Sequence, residues 1–152
     1  MELCLSANTL GSDVYALGFI VTSNGKCISQ DLLAIHPSKC QGWSIDEMAE
    51  TMANGWPAST THTYLEAGDR YSFNLELVKL LEPYAKCTWV SDVSLGFLKR
   101  LVHEGLCAPH IYDFKSLMWK QSYNRNMLPT ESPLSPLGRA QYISRILNQH
   151  VF

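Results

Sequence analysis

The pair Asn24-Gly25 stands between two apolar runs, Val14 to Ser23 and Cys27 to His36. Both residues tolerate a positive φ, which a two-residue hairpin turn demands and most side chains resist. The runs on either side are therefore committed to an antiparallel pair. A third run, Leu3 to Ala7, comes before them, and Gly11-Ser12-Asp13 reads as the turn between. A chain that opens on three strands joined by short turns begins as an antiparallel meander.

Beyond the meander the apolar period lengthens. Ser44-Ile45-Asp46-Glu47 fits a capping box, a Ser hydroxyl for orphan amides with a Glu three residues later. The helix it opens should reach Ala53, where Gly55-Trp56-Pro57 stops it, and Ser59 to Glu66 reads as a further short helix. Over Ser72 to Glu82, Leu75, Val78 and Leu81 recur at helical spacing. Leu77 and Leu80 widen that stripe, and Pro83 ends it. Cys87 to Ser91 reads as a fourth strand, and Leu95, Leu98, Leu101 and Val102 as the next helical stripe, with Lys99 and Arg100 off it. His110 to Asp113 is a fifth strand and Phe114 to Tyr123 a helix. Asn124 to Pro136 holds three prolines and reads as a loop; a last helix starts near Leu137 on Tyr142, Ile143, Ile146 and Leu147. The order predicts an α/β fold with a central mixed five-stranded sheet flanked by helices, in a single domain over residues 1–152.

Composition narrows the setting. With 46% apolar and 17% charged residues, the chain reads as globular, and no run approaches a membrane span. The N-terminus lacks the basic-then-apolar pattern of a signal peptide. Five cysteines, with no Cys-x-x-Cys pair, argue against a disulfide scaffold or a zinc site and for reduced thiols in the cytoplasm. A net charge of −2 gives no overall attraction to nucleic acid, though it leaves room for a local basic patch.

The stretch Leu3-Cys4-Leu5-Ser6-Ala7-Asn8-Thr9-Leu10-Gly11 resembles the first motif of the DnaQ-like, RNase H-fold 3′–5′ exonucleases, above all the small exoribonuclease-like members. In that family the frame reads Asp-x-Glu-Thr-x-Gly, and its two carboxylates hold catalytic metal ions. Here Ser6 and Asn8 take their places, while Thr9-Leu10-Gly11 keeps the rest. Ser44-Ile45-Asp46 onward to Trp56 is similar to the family's Ile-Asp stretch leading into a helix. Trp89-Val90-Ser91-Asp92-Val93-Ser94-Leu95-Gly96 is similar to its second motif, with Gly96 in place of an Asp, and Ile111 to Leu117 to the strand and helix that follow. The third motif, His-x-Ala-Leu-x-Asp-Ala, is matched by Leu134-Ser135-Pro136-Leu137-Gly138-Arg139-Ala140, with Leu134 for the general base and Arg139 for the last ligand. Ser132 to Phe152 contains no Asp or Glu, and His150 is its only His.

The resemblance thus implies an RNase H-like frame whose four carboxylate positions are empty. Two-metal hydrolysis needs several hard oxygen ligands at one sheet end, and neutral side chains, a glycine and an arginine do not supply them. No catalytic residue, metal or cofactor is expected. The implied role is that of a pseudoenzyme: a binding or regulatory module for a protein or nucleic-acid partner, with no membrane partner. The alternative is an active 3′–5′ exonuclease, on RNA rather than DNA, with Mg²⁺ or Mn²⁺ on relocated ligands. Asp13, Asp92 and Asp113 would be those ligands, set against a turn Asp, a helix N-cap near Val93 and a loop contact.

Tyr112, Lys115, Trp119, Lys120, Tyr123 and Arg125 form a basic, aromatic stretch suited to stacking bases and holding phosphates. The competing reading is an amphipathic helix that buries its aromatics beside Phe114, Leu117 and Met118. Arg139 is either a fixed cation in the former metal cleft, also able to hold a phosphate, or an exposed helix residue. His36, His62, His103 and His110 show no ligand spacing, and a Cys107–His110 nucleophile pair has no support from the fold.

Overall fold

The computed structural model describes residues 1–10, 13–35, 63–65, 70–107, 110–120 and 136–149. Strands β1 (Glu2–Leu10), β2 (Asp13–Ser23) and β3 (Lys26–Ile35) form the expected meander. Asn24 at φ 53 and Gly25 at φ 78 make the turn between β2 and β3. The later strands β4 (Thr63–Leu65), β5 (Thr88–Ser91) and β6 (His110–Asp113) extend it to six in the order β4-β3-β2-β1-β5-β6. The meander pairs are antiparallel; β4 on β3, β5 on β1 and β6 on β5 are parallel. The sheet is therefore mixed, with β1 inside it.

Two expectations are corrected here. The sheet has a sixth strand, and that strand falls within Ser59 to Glu66, where a helix was expected. Thr63-Tyr64-Leu65 is a β-branched and aromatic run that pairs with Leu33, Ala34 and Ile35, so pairing with the sheet overrides a weak local pattern. The first strand also runs on to Leu10, past the expected end at Ala7. The capping-box helix after Ser44 and the loop from Asn124 to Ser135 fall outside the described residues, apart from the helical Pro136.

Four helices are described: α1 (Arg70–Leu81), α2 (Leu95–His103), α3 (Phe114–Lys120) and α4 (Pro136–Gln149). Pro83 sits in a 3₁₀ turn, Glu82–Tyr84, that follows α1. The two-residue period of β1 divides the core between the sheet's two faces. Leu3 and Leu5 pack with Phe73, Leu77 and Leu81 of α1 and Phe97, Leu98 and Leu101 of α2. Cys4 packs on the other face with Phe114 of α3 and Ala140, Ile143 and Ile146 of α4. The result is a sheet with helices on both faces.

Two leucines of the expected stripes face water: Leu80 is 43% exposed and Leu95 51%. Phe73 and Phe97 of the same two helices are buried, at 1% and 3%. Trp89 is fully buried, and its indole N–H donates to the Tyr84 carbonyl at 2.9 Å. Cys4, Cys27, Cys87 and Cys107 carry free thiols, and no described helix is long and apolar enough to cross a membrane.

Candidate functional site

The two-residue period of β1 that buries Cys4 under α4 sends Ser6 and Asn8 to the same face. Ser6 is fully buried and Asn8 partly so. Opposite Ser6 on β2 lies Gly18. A Cβ built on Gly18 would run into the backbone of Pro136 and Leu137, with Leu137 Cα only 2.5 Å away. Absence of a side chain at that position lets the first turn of α4 rest directly on the sheet.

That contact delivers Arg139. Its Nε–H donates to Ser6 Oγ at 2.9 Å, and Nη2 donates to the Ala7 carbonyl at 2.8 Å and to Asn8 Oδ1. These bonds join positions 131 to 133 residues apart in the chain. The guanidinium is thus planted on Ser6 and Asn8 at the end of β1.

Asp92 completes the cluster from the neighbouring strand. The parallel register sets Leu5 beside Ser91, so Asp92 arrives next to Ser6 and hydrogen-bonds with it. Ser6 Oγ accepts from Arg139, which leaves its own proton for the Asp92 carboxylate. Burial pushes the Asp92 carboxyl above its ordinary range, and the Ser6 hydrogen bond and the charges of Arg139 and Lys115 pull against that shift. Desolvation wins.

The other expected residues fall in different places. Asp113 caps α3: its Oδ2 accepts from Ser116 N–H at 3.1 Å and Ser116 Oγ at 2.8 Å. The cap of α2 is Ser94, which accepts from Phe97 N–H at 3.2 Å, so Asp92 is not the N-cap. Asp13 opens β2 opposite Leu10, and its side chain lies outside the described residues. Gly96 is exposed in the first turn of α2, and a Cβ there would meet only Ser94 Oγ, at 3.8 Å. Lys115 is exposed on α3. Trp119 and Lys120 belong to the same helix, but their side chains, like Leu134, Tyr123 and Arg125 as a whole, lie outside the described residues. On the edge strand β6, the rings of His110 and Tyr112 pack 5.1 Å apart. Cys107 lies beside Glu82, whose hydrogen bond and charge push the thiol up, the opposite of what a nucleophile needs.

The donor set decides what the cluster can hold. Three oxygens, from Ser6, Ala7 and Asn8, are neutral and already accept from one guanidinium. Among the described residues no three His, Cys, Asp or Glu side chains gather. A divalent ion does not fit this set: Asp92 brings a single carboxylate, and the ion would meet the fixed positive charge of Arg139. Two participants escaped the sequence reading, Gly18 and the Asp92–Ser6 bond. An isolated glycine inside a strongly apolar strand was the available signal for the first.

Compared with family models, with curated proteins and with solved structures, the chain gives no match.

Proposed function

We propose that the chain is an RNase H-like domain of the DnaQ exonuclease type that has lost its metal site and acts as a binding or regulatory module for a protein or nucleic-acid partner. The observation that carries this reading is the Arg139 guanidinium on Ser6 and Asn8. It is a permanent cation, since arginine does not deprotonate in proteins, and it occupies the ground on which an exonuclease of this type would gather Mg²⁺. The sheet end is packed around it, with Ser6 fully buried and α4 seated on Gly18. Asp113 Oδ2 accepts two hydrogen bonds at the start of α3, which supports a capping role over that of a relocated ligand.

The test is cleavage of labelled single-stranded RNA and DNA with Mg²⁺ or Mn²⁺, run beside binding measurements and a pull-down. The expected outcome is no cleavage. Nucleic-acid binding, where present, should be independent of metal and fall steeply with salt, because phosphate contacts release counterions. Lys115→Ala with Lys120→Ala should weaken it and leave protein-partner binding in place. Cleavage that survives substitution of Ser6 and disappears in Asp92→Ala would overturn the reading in favour of a nuclease with relocated ligands.

A further inference from the structure

We infer that the end of β1 is a guanidinium site: an oxygen pocket formed by Ser6 Oγ, the Ala7 carbonyl and Asn8 Oδ1, with Asp92 behind Ser6, which Arg139 fills as a tethered ligand. Emptied of that side chain, the pocket takes up a free guanidinium ion in preference to a divalent metal. The inference rests on the reading of this site as metal-free and adds the chemical class of cation that it recognises.

Geometry gives the selectivity. The three oxygens receive hydrogens from two nitrogens of one planar group, at 2.9 Å from Nε and 2.8 Å from Nη2 to the carbonyl, with Asn8 Oδ1 taking a further hydrogen from Nη2. A guanidinium presents its donors in a fixed fork that matches such a set, whereas an ammonium is a compact point charge. Solvation points the same way. Guanidinium is weakly hydrated and leaves water at modest cost. Mg²⁺ gives up its water shell reluctantly and requires close octahedral oxygens, of which this pocket offers mostly neutral ones. The carboxylate behind Ser6 supplies the attraction that a monovalent cation needs.

The pocket is also built to outlast the side chain that fills it. Its floor is the central strand β1, and its wall is the first turn of α4, seated against Gly18 through backbone atoms. Ala140, Ile143 and Ile146 hold the same helix down through apolar packing that owes nothing to Arg139. Removing the guanidinium therefore leaves a hole of its own shape.

The experiment is thermal unfolding of the full chain and of Arg139→Ala, titrated with millimolar guanidinium chloride at ionic strength held constant with NaCl. Arg139→Ala should melt below the wild type and recover most of the loss along a saturating curve. The wild type should show no such rise, and adding Asn8→Leu should abolish the rescue. Urea, methylammonium and Mn²⁺ serve as the competing probes. A rise that fails to saturate, or one produced by Mn²⁺ and not by guanidinium, overturns the inference. Should Arg139→Ala fail to fold, the wild type still decides by nitrogen–proton NMR. A slowly exchanging Arg139 Nε–H, lost in Ser6→Ala, is expected, and exchange as fast as in free arginine refutes it. Both readouts are taken without substrate, so they separate failure of this pocket from failure of the binding-module reading, which cleavage decides.

Discussion

Replacing Gly18 by alanine tests whether the seat of α4 is as tight as the geometry requires. The added methyl finds Leu137 Cα at 2.5 Å, and the atoms that crowd it are backbone, so no rotamer change relieves it. Reaching an ordinary carbon contact of about 3.5 Å moves the helix start outward by about 1 Å. A shift of that size carries the Arg139 contacts of 2.8 and 2.9 Å to about 3.8 Å, beyond hydrogen-bonding range. Overpacking alone costs about 1–3 kcal/mol, and two lost bonds to a charged group about 3 kcal/mol more. A total near 5 kcal/mol lowers the melting temperature of a chain this long by roughly 10–20 °C. Gly96→Ala is the internal control. Its Cβ meets nothing closer than Ser94 Oγ at 3.8 Å, in a helix, so it should gain about 0.5 kcal/mol from reduced unfolded-state freedom. Thermal melts with urea titrations measure both. Equal melting points for the two variants would refute the argument that α4 rests on Gly18.

Asp92→Asn should raise the melting temperature at neutral pH. The folded-state pKa of Asp92 lies above the ordinary 3.8, so its contribution is fully favourable below that value and is lost as pH rises through the folded pKa. The advantage of the asparagine should accordingly vanish near pH 4, and a variant that is weaker at pH 7 than at pH 4 contradicts the assignment. In calorimetry with Mn²⁺, the wild type should show no tight binding, and the triple variant Ser6→Asp, Asn8→Glu, Arg139→Asp should gain it by placing three carboxylates around Asp92; an unchanged titration would mean the sheet end lacks the metal geometry. Among the thiols, Cys27 is exposed and should react with a disulfide reagent in the native state. Cys4 should react only on unfolding, because burial and the charge of Glu2 push its thiol up to about 12 against a Ser144 hydrogen bond. Peptide mapping by mass spectrometry distinguishes the two, and rapid native labelling of Cys4 would contradict its place under α4.

Local signals read correctly where they were strong. Asn24-Gly25 announced its turn because few residue pairs accept two successive positive φ angles. The stripes of α2 and α4 were legible through Leu98, Leu101, Ile143 and Ile146, which are buried as their spacing predicts. β4 was not, since three residues carry too little pattern to oppose a helical guess, and its identity depends on the distant Leu33 to Ile35. Leu80 and Leu95 show the same limit from the other side: an apolar residue at helical spacing is buried only if something covers it. For the site, the motif frame singled out Ser6, Asn8 and Arg139, and the fold brings those three into contact. Gly96 was singled out by the same frame and stays outside, exposed on α2. The Asp92–Ser6 bond was invisible because it depends on the register of a parallel pair, and register is a property of two strands, never of one.

The placement of β1 between β2 and β5 also sets an order of events during synthesis. The meander is complete once Ile35 has emerged, yet the partner for the second edge of β1 arrives only with Thr88 to Ser91, and α4 comes later still. For that interval β1 keeps an unpaired backbone edge; α1 can reach the face of Leu3 and Leu5 first, while the face of Cys4 waits for Phe114 and α4. Such an edge is a template for wrong partners, and the delay before it closes scales with the chain still to be made. Slower translation after Ile35 should therefore lower the soluble yield of this protein, and covering chaperones should matter most for nascent chains that stop short of Ser91.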